Sequence, residues 1–115
     1  MDWYVYLAYF AAGALLANGV PHFNKGISGQ PFQTPFASPP GLGESSALVN
    51  VIWGLANFIV GYVLIFAVGD FQIGLTVDVL LVGLGAVFAA VISSWFFGRL
   101  HTSKPPRRSS RKRTK

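Results

Sequence analysis

Apolar residues run almost unbroken through three windows of the chain. No charge interrupts residues 3–24, 45–69 or 79–98. A helix needs about 20 mostly apolar residues to cross a hydrocarbon core about 30 Å thick, at a rise of about 1.5 Å per residue. The pattern therefore predicts an all-α membrane protein with three transmembrane helices at about 3–20, 46–68 and 76–99. A fourth uncharged window, 26–43, does not fit this description, because Pro31, Pro35, Pro39 and Pro40 each remove a backbone donor. Irregular backbone exposed to lipid leaves polar groups unpaired. Residues 21–45 are thus expected to form an irregular Pro/Gly/Phe-rich loop that is interfacial, re-entrant or folded back as a lid. Pro21 is expected to end or kink the first helix, since the residue before a proline avoids the helical region.

Polar and small positions inside the spans set the expected packing. In the second helix Asn50, Gly54, Asn57 and Gly61 fall on one stripe, with Trp53 beside it. Small residues let backbones approach and amides bond across the contact, so this stripe is expected to face protein. The first helix offers Ala8, Ala11, Leu15, Asn18 and His22. The third offers Asp78, Val82, Gly85, Ala89 and Ser93, with Ala86, Ala90 and Ser94 as a second ladder. A three-helix bundle follows, its interior gathering Asn18, Asn50 and Asn57, with His22 and Asp78 nearer opposite ends. The candidate helix-packing and partner-binding residues are Asn18, His22, Asn50, Gly54, Asn57 and Gly61. Ser45 or Ser46 and Thr76 are placed to cap the second and third helices.

Composition adds direction. The chain is 52% hydrophobic and 11% charged, with no cysteine, which excludes an ordinary soluble domain and any disulfide or thiolate site. One lysine against four acids leaves residues 1–98 at −3, whereas residues 99–115 carry +8 of the overall +5 balance. Cytoplasmic flanks are enriched in Lys and Arg. The charges predict an N-terminus outside, a C-terminus in the cytoplasm, and Lys25 on the same side as the tail. Residues 1–100 form the expected membrane domain and 101–115 a tail disordered by composition. In that tail Arg107, Arg108, Arg111, Lys112 and Arg113 are expected to attract anionic headgroups, with no specific nucleic acid as partner. Trp3, Tyr4, Tyr6 and Tyr9, and at the other end Trp95, Phe96 and Phe97, read as interfacial aromatic belts.

The loop is the most individual stretch. The run PHFNKGISGQPFQTPFASPPGLGESS, followed closely by NVIWGLAN, resembles a pattern in small uncharacterised bacterial inner-membrane proteins; it lies within residues 18–57, about a third of the chain. The resemblance implies a bacterial inner membrane and carries no activity with it.

Catalytic and metal chemistry find little footing. No phosphate-binding glycine loop and no HExxH pair occurs. His22 and His101 are separated by two predicted spans, no acid lies in the middle of a span, and no cofactor or metal is expected. The reading that results is a non-enzymatic accessory or assembly subunit that binds other membrane proteins or itself. The alternative is a homo-oligomeric transporter or channel subunit whose polar path is lined by Asn18, His22, Asn50 and Asn57.

Overall fold

A computed structural model describes residues 2–102 of the chain. In chain order it contains α1 (Trp3–Ile27), β1 (Phe32–Gln33), β2 (Glu44–Ser45), α2 (Ala47–Phe66) and α3 (Val77–Thr102). All three helices are long and apolar enough to cross a membrane. The tail bases Arg107, Arg108, Arg111, Lys112 and Arg113 lie outside the described residues.

The first helix is longer than the expected 3–20, and the loop correspondingly shorter than 21–45. α1 does not end at Pro21 but runs on to Ile27, with the proline inside it. An interior proline costs about 3 kcal/mol and leaves one carbonyl without its donor. The extra turns offset this by carrying His22 and Gly26 into buried positions against α2. The connecting segment accordingly begins at Ser28, whose hydroxyl donates to the Asn24 carbonyl at 2.8 Å. Gly29 follows at φ +75°, a left-handed position that glycine occupies without steric cost.

Helix α1 packs on both other helices, and α2 and α3 make almost no contact with each other. The arrangement is an open layer with α1 in the middle, not the closed three-sided bundle expected from the sequence. Two seams replace the single interior. Along the first, a β-carbon on Gly19 would lie 2.9 Å from the Gly54 carbonyl oxygen, one on Gly26 2.7 Å from that of Ala47, and one on Gly61 3.2 Å from that of Ala12. Ala12, Gly19 and Gly26 therefore meet Gly61, Gly54 and Ala47, one contact every seven residues along both antiparallel helices. A seven-residue repeat keeps two slightly supercoiled helices in register over several turns, and small side chains let the backbones close. The α1 face used here is shifted from the predicted Ala8, Ala11 and Leu15.

The second seam is tighter. A β-carbon on Gly13 would collide with the Val82 carbonyl of α3, and one on Gly85 with the Phe10 carbonyl of α1. Phe10 and Phe88 flank this crossing with ring centroids 5.7 Å apart.

Caps finish the helices. The Ser46 hydroxyl accepts from the Val49 amide at 3.3 Å, and that of Thr76 from the Val79 amide at 3.2 Å. The segment between α1 and α2 folds back on the helix ends as a small antiparallel hairpin, Phe32 opposite Ser45 and Gln33 opposite Glu44. Phe32, Gln33 and Thr34 are buried, whereas Phe36 is exposed and meets the Trp53 ring edge-on at 5.0 Å. The hydroxyls of Thr34 and Ser45 also bond to each other. The Ser38–Pro39 peptide is cis.

Candidate functional site: a polar seam and the hollows beside it

Four of the six predicted residues carry polar side chains, and the fold brings them together in two pairs. Asn50 is fully buried at the start of α2 and His22 is buried on α1. The Asn50 amide nitrogen shares its two hydrogens among three carbonyls, those of Phe32 at 3.1 Å, Ser45 at 3.1 Å and Ser46 at 3.0 Å. Its nitrogen being so engaged, its oxygen faces His22, and the His22 Nδ1 donates to it at 2.9 Å. One side chain thus ties α1, the hairpin and the α2 N-terminus together. The imidazole is ringed by Phe32, Trp53 and Phe97, at centroid distances of 5.3, 6.4 and 6.4 Å. Helix α3 reaches this knot through Phe97, and touches the hairpin side of it through His101.

About two turns further along α2, the Asn18 amide donates to the Asn57 oxygen at 3.1 Å, and the Asn57 amide donates to the Trp53 carbonyl at 2.8 Å. The sequence stripe placed Asn18 with both Asn50 and Asn57; the structure gives it Asn57 alone and assigns Asn50 to His22. Gly54 and Gly61, the remaining two, are the small members of the α1–α2 seam.

On one side of the layer this seam opens into two hollows. One, of about 310 Å³, is lined by Leu15, Asn18, Ala89 and Ile92 among others. The other, of about 80 Å³, is lined by Leu15, Trp53, Ala56, Asn57 and Val60. Leu15 lines both, so the hollows adjoin across the amide pair. Asn18 is only half-buried, and no described donor reaches its side-chain oxygen.

The opposite end of the layer holds Asp78, far from His22 as the span order requires. Asp78 is buried, and its carboxylate accepts from the Gln72 amide at 3.0 Å, which fastens the turn between α2 and α3. Phe71 of that turn meets Tyr9 edge-on at 5.2 Å. Tyr9 is fully buried and its hydroxyl has no partner among the described residues. No group of three or more His, Cys, Asp or Glu stands together among the described residues.

Sequence reasoning missed Gly13, Gly19 and Gly26 as contact points and His101 as a neighbour of the hairpin, where its Nε2 donates to Gln33 Oε1 at 3.4 Å. The glycines did carry a signal, the seven-residue spacing shared by Gly19–Gly26 and Gly54–Gly61. His101 carried none. Compared with protein-family models, curated proteins and solved structures, the chain matches none.

Proposed function

We propose that this chain is a non-enzymatic assembly subunit of a bacterial inner membrane, N-terminus outside and C-terminus in the cytoplasm, that docks another membrane protein or a second copy against the open side of its helix layer. The observation that carries this reading is the Asn18 oxygen. It lies near the middle of the spans, beside two hollows, and without a donor. A polar group facing lipid at that depth costs free energy that a donor on a neighbouring helix recovers. The small residues Ala56 and Ala89 line the hollows and leave room for such a helix. The orientation rests on the charge asymmetry, and the bacterial membrane on the loop resemblance.

Filling the hollows tests the proposal without touching the amides. The Ala56→Phe/Ala89→Phe chain, purified in mild detergent from native membranes, is expected to lose at least ten-fold of whatever copurifies stoichiometrically with the wild type. Retention of that partner, or a wild-type chain that purifies as a bare monomer, contradicts docking here. Altered solute flux with an unchanged oligomer would instead carry the transport reading.

A further inference from the structure

We propose that the groove between the C-terminal halves of α1 and α3 is a binding site for one anionic phospholipid, its phosphate at Lys25 and His101 and an acyl chain along the helices. The groove, of about 440 Å³, borders the larger hollow beside Asn18 at Ser93 and is floored by Ala17, Ala90 and Phe97. The small side chains of Ala17, Ala90 and Ser94 leave it open between the two helices.

Its mouth has the chemistry of a phosphate site. Lys25 and His101 both line it, and both rest on the buried Phe32 ring, the Lys25 Nζ at 5.9 Å and the His101 ring at 6.1 Å from its centroid. Lys25 is held by a neutral partner, the Gln30 side-chain oxygen at 3.2 Å, so its charge is not cancelled. Glu44, across the hairpin from Gln33, is exposed and does not line the groove. Basic pockets between transmembrane helices recognise anionic headgroups.

Length agrees with a lipid and not with a soluble phosphate. From His101 down to Ala90 the helix rises about 16 Å, close to the roughly 15 Å half-thickness of a hydrocarbon core. A free anion would use the mouth and leave the apolar floor bare. This site is also distinct from the basic tail, whose attraction for lipid needs no groove.

Native mass spectrometry of the full chain, with added dioleoyl phosphatidylglycerol or dioleoyl phosphatidylcholine, tests the assignment. One phosphatidylglycerol is expected to stay bound at activation energies that strip phosphatidylcholine. Lys25→Gln should weaken that retention about fivefold. Ala90→Phe, a change at an exposed position with no packing to disturb, should abolish it while the tail is intact. Retention unchanged in Ala90→Phe, equal retention of the two lipids, or displacement by millimolar inorganic phosphate would each overturn the proposal. Lys25→Gln, which keeps most of the side chain's length at a half-buried position, makes the test decisive even if Ala90→Phe misfolds, because retention unchanged in that variant would equally overturn the proposal.

Discussion

Replacing Gly85 by valine is expected to detach α3 from α1. The α1–α3 crossing depends on two glycines set against opposing carbonyls, Gly85 on that of Phe10 and Gly13 on that of Val82. A side chain at either place meets backbone, which has no rotamer to turn aside. Overpacking in a close-fitted contact costs about 1–3 kcal/mol where side chains absorb it, and a backbone carbonyl puts the cost at or above the upper end. α2 and α3 barely touch, so away from this crossing α3 is held near its ends, by Asp78 at the α2–α3 turn and by Phe97 and His101 at the hairpin. The midpoint of SDS-induced unfolding, followed by tryptophan fluorescence, should fall clearly in Gly85→Val. Gly83→Val is the matched control. It lies on the same helix, is exposed, and has nothing within 4 Å of a built β-carbon, so its midpoint should stay within error of wild type.

The second large effect is expected at Asn50. Asn50→Leu leaves the His22 Nδ1–H and the carbonyls of Phe32, Ser45 and Ser46 without this partner. Buried polar groups deprived of their bond cost about 1–3 kcal/mol each, so a loss of at least about 3 kcal/mol is anticipated. The hairpin should come away first, because the Asn50 amide holds the carbonyls of Phe32 and Ser45, one on each of its strands. Chymotrypsin then cleaves at Phe32, which is buried in the intact protein. Asn50→Asp separates the two halves of the role. A carboxylate still accepts from His22 but donates nothing to the hairpin. Cleavage at Phe32 with an unchanged α1–α2 association is the expected outcome. Protection of Phe32 in both variants would show that the hairpin is held by other contacts.

Much of this architecture was legible along the chain. Uninterrupted apolar runs located α2, α3 and the start of α1 within a few residues, and Ser46 and Thr76 cap α2 and α3 as their chemistry suggests. The Asn50–Gly54–Asn57–Gly61 stripe marked the packed face of α2, since carboxamides and glycines gain from a protein neighbour and lose against lipid. The end of α1 was not legible from Pro21, because a local penalty of about 3 kcal/mol is outweighed by tertiary contacts that the proline does not reveal. The Gly19–Gly26 spacing, matched to Gly54–Gly61, was the one clue that the helix continues.

The layer itself had no such clue. Lipid tails are as apolar as leucine, so a bulky face of α3 looks the same whether it meets a helix or the bilayer. Hydrophobic patterning therefore could not tell an open layer from a closed bundle. In the loop, Phe32 and Phe36 are chemically alike and stand four residues apart, but one is buried and the other exposed. Their fates depend on the Asn50 bonds to the backbone, and nothing in the local sequence announces those.

Seams, hollows and groove all presuppose that α1, α2 and α3 each cross the bilayer. Single cysteines at Asp2, Gly41 and Thr102, in a chain with none of its own, test this with a membrane-impermeant maleimide applied to intact cells. The account predicts labelling at Asp2→Cys only, with Gly41→Cys and Thr102→Cys reacting once the membrane is opened. Labelling of Asp2→Cys and Thr102→Cys from the same side would contradict it.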